Sequence, residues 1–242
     1  YDQMLKNMHN SEILLAPLRN QEAVISSRME GTISTMDEIL KFEADSENDS
    51  EDAKKVRSEV FETILYQRAL LNAQRAMKEG YPLSQHLIKK LHQQLLSFGR
   101  GAQKSPGKYK TEQNYLADRV KQKILFTPIR PEKLNDGLEN LFTYIHESSD
   151  PVLIKTALMH LEFEALHPFQ DGNGRVGRLI MFKECLANDI TPFIITEELK
   201  LFYYRGLQEW KKVPDYLSDT CLTAQDNYKS VLKYFEIDFK EE

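Results

Sequence analysis

Apolar residues recur at three- and four-residue steps along most of the chain, and the strict alternation of apolar and polar residues that is typical of strands is scarce. This periodicity predicts a fold that is mainly α. The clearest predicted helices cover Val56–Lys78, a segment that follows Ser84 as its N-cap, and then Pro131–His146, Val152–Leu166 and Leu179–Ala187.

Other segments give weaker patterns. Apolar positions within Met4–Arg28 predict helices that are broken at Pro17, and a further helix is predicted to open near Thr32. The acidic run Glu43–Asp52 is expected to be a loop, because it has too little apolar surface to order itself. Lys108–Thr127 is the best place in the chain for a short hairpin.

Composition narrows the class of protein. Among 242 residues, 32 Lys and Arg face 37 Asp and Glu, and the net charge of -5 argues against nucleic acid as a main partner. Two cysteines, Cys185 and Cys221, give neither a disulfide framework nor a paired metal-ligand spacing. No apolar run of about 18 residues and no signal-peptide pattern occur, so we expect a soluble, cytoplasmic protein. Because residue 1 is tyrosine, we expect a trimmed form of something longer.

The most informative residues form the stretch HPFQDGNGRVGR, from His167 to Arg178, between two apolar segments. Gly172 and Gly174 let the backbone turn with converging N–H groups, and the next helix begins with unpaired donors and the positive end of its dipole. Arg175 and Arg178 lie on one side of that helix and can each bind phosphate oxygens. The stretch therefore predicts a loop that cradles a polyphosphate.

Asp171 beside such a cradle indicates a cation between carboxylate and phosphate, since one carboxylate with phosphate oxygens is the usual way in which Mg²⁺ is held. His167 has an ordinary pKa near the working pH and would take a proton from a hydroxyl that attacks phosphorus. These residue types predict a phosphorus-transfer site that uses Mg²⁺ and a nucleotide. The remaining histidines show no spacing for a metal cluster.

At these residues the sequence resembles the Fic family, whose signature is H-P-F-x-[DE]-G-N-G-R-x-x-R, and every defined position matches. The resemblance implies a Fic-type helical bundle with a small β-hairpin flap, ATP as co-substrate, and transfer of AMP to a Tyr, Thr or Ser hydroxyl of a protein. It makes His167 the base and Asp171 the Mg²⁺ ligand. The predicted nucleotide-binding residues of the loop are Gly172, Asn173, Gly174, Arg175 and Arg178. The Doc branch, which phosphorylates instead, has lysine where Gly174 stands, so Gly174 favours AMP transfer.

A second match lies upstream. The sequence SSRMEG, from Ser26 to Gly31, resembles the family's inhibitory motif [ST]-x-x-x-E-[GN], which is carried on an N-terminal helix. The resemblance implies that Glu30 pairs with Arg178 and takes the arginine that the γ-phosphate of ATP needs, so that the enzyme rests in a low-activity state. The plain alternative is an ordinary surface carboxylate near a helix end.

A third match is GKYKTEQNYL, which resembles the family's flap and places it at about 107–127. Such a hairpin binds the target backbone as an added strand, so Asn114 and Leu116 are candidate docking residues. Lys110 stands where arginine is usual, and Ala117 where glycine is usual.

Tyr203 and Tyr204 lie in a segment that resembles the border of the adenine site in relatives, and they are further candidates for nucleotide binding. Core aromatic residues are the alternative interpretation of both.

We therefore predict an N-terminal helical portion with the inhibitory motif (1–80) and a catalytic core (81–242). Expected partners are ATP and a target protein, with the chain itself as one candidate target and a homodimer as one candidate assembly. Two rival functions remain open. One is metal-dependent removal of AMP from a modified protein, with Glu30 orienting a water. The other is a nucleotide-sensing scaffold that binds ATP without turnover, against which the intact His167 argues.

Overall fold

Helices dominate the structure, a computed structural model that describes residues 12–47, 57–118, 122–188, 190, 192–210, 212, 217, 219–224 and 226. The helices are α1 (Glu12–Met29), α2 (Met36–Glu47), α3 (Ser58–Lys78), α4 (Gln85–Leu95), α5 (Leu134–Glu147), α6 (Val152–Leu166), α7 (Asn173–Ala187) and α8 (Lys200–Glu209). Turns of 3₁₀ helix lie at Gly99–Gly101 and Pro131–Lys133. The prediction of a mainly α fold is confirmed.

One hairpin forms the sheet in the described part of the chain. Strand β1 (Leu116–Asp118) pairs antiparallel with β2 (Lys123–Phe126), and the register is irregular between Leu116 and Ala117. The hairpin predicted from the sequence is therefore present. Its two strands are only three and four residues long, and residues 119–121 lie outside the described residues.

Helix α7 is the centre of the molecule. Its side chains are buried from Asn173 to Leu186 apart from Gly174, which is half-buried. It packs against α6, α3, α4 and α1. A helix covered on all sides has no polar face to place in water, which matches its nearly continuous burial. Its N-terminus, where the predicted anion-binding residues lie, is consequently held from several directions.

Local signals set the beginnings of two helices. The Ser84 side chain accepts a hydrogen bond from the Leu87 N–H (3.3 Å), which confirms the predicted N-cap. Helix α2 begins at Met36 because Thr35 and Glu38 form a capping box. The Glu38 carboxylate accepts from the Thr35 N–H (2.9 Å), and the Thr35 hydroxyl accepts from the Glu38 N–H (3.3 Å). The predicted opening near Thr32 is therefore too early.

Two further predictions are wrong. Helix α1 runs through Pro17 without a break, because Pro17 is on the exposed side while Leu15 and Leu18 pack into the core, and this packing outweighs the loss of one backbone bond. The first half of the acidic run, Glu43–Glu47, belongs to α2, since glutamate and alanine extend a helix once it is capped. The rest of that run lies outside the described residues.

One apolar core joins the early and the late helices. It includes Leu15 of α1, Tyr66 of α3, Phe163 of α6 and Phe182 of α7. Helix α3 also contacts both α4 and α7, so helices on either side of residue 80 touch, and the division of the chain there stays a prediction. Among the described residues, no helix is both long and apolar enough to cross a bilayer.

Candidate active site

The loop from His167 to Gly172 joins α6 to α7, and the backbone is in the left-handed conformation at both of its ends. His167 ends α6 in the left-handed conformation (φ 46°, ψ 61°), and Pro168 then prevents further helix. Gly172 precedes α7 with φ 76°, a conformation that glycine adopts without steric cost. Helix α7 begins at Asn173, before the apolar segment that starts at Leu179, and it contains Arg175 and Arg178 as expected from the sequence.

Two asparagines clamp this loop. The buried Asn173 accepts a hydrogen bond from the Phe169 N–H (2.8 Å) and donates one to the Phe169 carbonyl (2.8 Å). From the flap segment, Asn114 donates to the carbonyls of His167 (3.1 Å) and Phe169 (2.9 Å). The loop is thus fixed by side chains that satisfy its backbone polar groups.

His167 is the first residue of the loop, and 19% of its side chain is exposed. Its Nδ1 is buried and lies 4.0 Å from Oε2 of Glu164. Burial lowers the pKa of His167 to about 4. The imidazole is therefore neutral at pH 7 and able to accept a proton.

The N-terminus of α7 retains an unfilled donor. Arg175 is buried, and its Nε has no hydrogen-bond partner among the residues that the structure describes. A buried guanidinium donor without an acceptor is costly unless an anion supplies one. Together with the helix dipole and the unpaired N–H groups of the first turn, this arrangement fits a phosphate-bearing ligand.

Arg178, by contrast, has its partners. Its Nε donates to the Ser26 hydroxyl (2.7 Å), and its Nη2 donates to the Ser26 carbonyl (3.2 Å) and to Oε1 of Glu30 (2.8 Å). Arg178 is 2% exposed, and Glu30 keeps 37% of its side chain exposed. Burial is the largest influence on the pKa of Glu30 and raises it, but Arg178, with smaller contributions from Arg175 and His167, lowers that pKa below its ordinary value.

Gly174 allows this ion pair to form. A Cβ at position 174 would lie 2.5 Å from Oε1 of Glu30 and 3.2 Å from Nη1 of Arg178. Any side chain there would displace the Glu30 carboxylate. The glycine that the sequence suggested for nucleotide binding therefore also leaves room for the Glu30 carboxylate beside Arg178.

Further carboxylates around Arg178 were not identified from the sequence. Glu22 is buried on α1 and accepts a hydrogen bond from the Tyr66 hydroxyl (2.9 Å). Burial raises the pKa of Glu22 and of Glu164 to about 7, against the lowering effect of Arg178. Helical spacing could have found both residues, because Glu22 precedes Ser26 by one turn and Glu164 precedes His167 by one turn.

Asp171 has the chemistry of a Mg²⁺ ligand that works with phosphate. Its Oδ1 accepts a hydrogen bond from the Gly172 N–H (2.8 Å), which orients the carboxylate at the beginning of α7. In the described part of the chain no group of three or more ligating side chains forms a metal cage. A single oriented carboxylate beside an anion cradle fits a cation that is held partly by the nucleotide.

Lys110, which replaces the usual arginine of the flap, is buried and ties the flap to the loop. Its Nζ donates to the Leu166 carbonyl (3.0 Å) and to Oδ1 of Asn114 (2.9 Å), and its N–H donates to the Pro168 carbonyl (2.8 Å). Burial lowers the pKa of Lys110 to about 8. The candidate docking residue Leu116 is half-buried and pairs with Phe126 in the hairpin.

The two tyrosines of α8 differ. Tyr203 is 1% exposed, and its hydroxyl is 2.6 Å from Nε2 of His160, so it supports the site from the interior. Tyr204 is half-buried, with its ring centroid 5.4 Å from that of Tyr203. Contact of either ring with a nucleotide stays a prediction.

Solved structures share this fold. A Fic domain containing signaling protein from Bacteroides thetaiotaomicron matches with a TM-score of 0.76 at 17% identity, over 100% of this chain and 96% of that one. Fic-1 (residues 134–508) from Caenorhabditis elegans matches with a TM-score of 0.72 at 19% identity, over 97% of this chain and 68% of that one.

Curated relatives share part of the sequence. Protein adenylyltransferase fic-1 from Caenorhabditis briggsae is 29% identical over 141 residues, which are 57% of this chain and 26% of that protein. Protein adenylyltransferase Fic from Nematostella vectensis is 30% identical over 126 residues, which are 50% of this chain and 27% of that protein. The chain spans only about a quarter of the length of these relatives.

Two family models together cover most of the chain. The model described as Fic/DOC family N-terminal matches residues 1–75, and the model described as Fic/DOC family matches residues 82–185. The second match contains the loop and α7 almost to its end, and the fold is the Fic-type helical bundle with its small hairpin. The chain belongs to the Fic/DOC family.

Proposed function

We propose that this chain is a protein adenylyltransferase that transfers AMP from ATP to a Tyr, Thr or Ser hydroxyl of a protein. The observation that carries the proposal is the position of His167 on the clamped loop that leads into the anion-binding end of α7. The names of the relatives, which are protein adenylyltransferases, support the same reaction.

In the proposed reaction, His167 takes the proton of the target hydroxyl as that oxygen attacks the α-phosphorus of ATP. The new bond joins the hydroxyl oxygen to phosphorus, the bond from the α-phosphorus to the bridging oxygen breaks, and pyrophosphate leaves. Arg175 and Arg178, with the N–H groups of Asn173 and Gly174, bind the phosphates. Asp171 would hold Mg²⁺, which when bound neutralises charge on the departing pyrophosphate.

Glu30 is the proposed internal brake. Its carboxylate occupies Arg178 in the structure, and the two charges are close enough for a charge-assisted hydrogen bond (2.8 Å). An arginine with this partner is not available for a γ-phosphate. Displacement of Glu30 would therefore raise both the affinity for ATP and the rate of transfer.

The flap is the proposed docking site for the target. Strand β2 exposes its side chains along its whole length, including Ile124, Leu125 and Phe126. A short strand with an exposed apolar surface can accept an extended segment of another chain as an additional strand. The target would be a protein with such an accessible segment beside a hydroxyl residue.

A second candidate is removal of AMP from a modified protein. It is favoured by the position of Glu30. The carboxylate of Glu30 is partly exposed, and its charge raises the pKa of His167, the residue that would act as base. There Glu30 would orient an attacking water. Release of labelled AMP from a modified protein by the intact chain, but not by Glu30→Gln, would support this direction over transfer.

The proposal is tested by incubating the intact chain and Glu30→Gly with Mg²⁺ and α-labelled ATP. We expect a mass gain of one AMP on protein, on the order of tenfold or more stronger in the variant, because Arg178 becomes available. Glu209→Gly at the last residue of α8, another glutamate that pairs with an arginine, is the matched control and should leave labelling unchanged. Tight ATP binding without label in any variant would favour a nucleotide-sensing scaffold and contradict the proposal.

A further inference from the structure

His92 of α4 joins two segments of the site that are far apart in sequence. It is completely buried, its Nε2 is 3.0 Å from the carbonyl oxygen of Asp171, and its Nδ1 is 2.8 Å from the backbone nitrogen of Gly107. The Gly107 N–H can only donate, so Nδ1 must accept. The ring proton is therefore on Nε2, which donates to the Asp171 carbonyl.

The ring also supports the loop by stacking. Its centroid lies 3.7 Å from that of Phe169, and the planes are inclined by 5°. The backbone of the same Phe169 is hydrogen-bonded by Asn173. His92 thus contacts the loop at a side chain and at a backbone carbonyl, and it contacts the beginning of the flap segment at an N–H.

Packing alone does not explain this residue. An apolar ring of similar size would stack on Phe169 equally well, whereas two buried ring nitrogens are costly unless both have partners. Both nitrogens of His92 bind backbone atoms, one beside the candidate Mg²⁺ ligand and one at the base of the flap. Backbone partners of this kind fix main-chain position, which a side-chain contact does less directly.

We propose that His92 is a positioning residue that sets the backbone at Asp171, and hence the direction of its carboxylate, and couples it to the flap at Gly107. The importance of Asp171 rests on the proposed function, but the two contacts do not. We therefore choose measurements that report each contact without requiring AMP transfer.

Two conservative variants separate the contacts. In His92→Asn the amide oxygen stands as many bonds from the backbone as Nδ1, so it can still accept from Gly107 but no donor reaches Asp171. In His92→Gln the amide nitrogen stands as many bonds away as Nε2, so it can still donate to Asp171 while the acceptor for Gly107 is lost. His92→Phe keeps the stack and removes both contacts. His86→Asn, at an exposed position of α4, is the control.

The first readout is the affinity for ATP with and without Mg²⁺, measured by calorimetry in the intact chain and in Glu30→Gly. We expect His92→Asn to lose on the order of tenfold of the Mg²⁺-dependent gain in affinity, the equivalent of one hydrogen bond, with affinity in EDTA unchanged. In His92→Gln this gain should stay within about threefold of the parent's, because the hydrogen bond to the Asp171 carbonyl is retained. His92→Phe should lose as much as His92→Asn.

The second readout is amide hydrogen exchange at Gly107. We expect faster exchange in His92→Gln and His92→Phe and parental exchange in His92→Asn, because only Asn keeps the acceptor. Equal effects of Asn and Gln in both measurements, or no effect of either, would overturn the positioning role. If the intact chain and Glu30→Gly both fail to transfer AMP while His92→Asn and His92→Gln still differ in ATP affinity and in amide exchange, the proposed function fails and the role of His92 stands.

Discussion

The loop from His167 to Gly172 and the flap hairpin are built in opposite ways. The loop has no regular secondary structure, yet its backbone polar groups bind the side chains of Asn173 and Asn114 and the Lys110 N–H, and Pro168 and Phe169 are buried. The hairpin has regular pairing, yet its strands are very short and β2 exposes every side chain. Regular secondary structure is therefore not what makes this site rigid.

The difference matches what the proposed function requires of each region. Phosphorus transfer needs groups held in one geometry before the substrate arrives, and a loop fixed by buried hydrogen bonds provides that. A partner that docks as a strand needs exposed backbone and apolar side chains, and a loosely packed hairpin provides those. The base of the flap belongs to this fixed region, since the Lys110 N–H and the Asn114 amide donate to the loop carbonyls of Pro168 and His167.

The largest effect should come from the chemistry of the loop itself. His167→Ala should reduce AMP transfer by about a thousandfold or more, because the proton acceptor is removed, while the affinity for ATP changes by less than about twofold. Single-turnover labelling and calorimetry measure the two quantities. His86→Ala, at an exposed histidine, should leave both AMP transfer and ATP affinity unchanged. Transfer at the parental rate would show that His167 is not the base.

The next effect distinguishes the two clamps. Asn173→Ala should lower the free energy of unfolding by about 1–3 kcal/mol, because the buried Phe169 N–H loses its acceptor. Asn114→Ala should cost less, about 1 kcal/mol, since Asn114 is half-buried, two of the bonds it loses are donors to carbonyls, and the Lys110 Nζ keeps its bond to the Leu166 carbonyl. Urea unfolding without nucleotide checks both. A larger loss in Asn114→Ala would place the rigid centre in the flap rather than in the loop.

Part of this arrangement could be predicted from the sequence. Residue type and spacing predict His167, Asp171 and the two arginines as site residues, which stays a prediction, and periodicity predicts α3 and α6, which the structure contains. The motif also predicts the pairing of Glu30 with Arg178, which the structure contains, while its inhibitory effect stays a proposal. The contacts of Lys110 and His92 could not be predicted, because they join segments separated by 56 and 79 residues. Likewise the unbroken α1 follows from tertiary packing, which outweighs the local effect of Pro17.

A smaller effect concerns pH. An imidazole with the ordinary pKa of about 6.5 would lose roughly nine-tenths of its base form at pH 5.5. Burial lowers the pKa of His167 to about 4, so its base form persists and the histidine-dependent rate should stay constant from pH 8 to 5.5.

The same shift has a cost for folding. The unfolded chain binds a proton at this histidine below about pH 6.5 and the folded chain does not, so the free energy of unfolding falls as the pH drops from there toward 4.

Single-turnover rates in Glu30→Gly from pH 8 to 5.5 measure the pH dependence of transfer. A rate that halves near pH 6.5 would mean that His167 is solvated like an exposed residue and that the loop is not preformed.

The smallest effect on stability, and the most informative about the flap, should follow from Ile124→Thr. Ile124 is 55% exposed on β2, and threonine keeps the β-branched shape that suits a strand, so the free energy of unfolding should change by less than about 0.5 kcal/mol. Binding of a target strand would lose an apolar contact, so transfer to protein should fall several-fold through a higher KM, with ATP affinity unchanged.

Labelling of total lysate protein from α-labelled ATP by Glu30→Gly, with and without Ile124→Thr, measures this loss. Ile154→Thr removes the same surface at an exposed position near the opposite end of α6 from His167, about 20 Å away along the helix, and should leave labelling intact. Equal losses in both variants, or a loss of ATP affinity in Ile124→Thr, would show that the hairpin is part of the rigid region and that the target docks elsewhere.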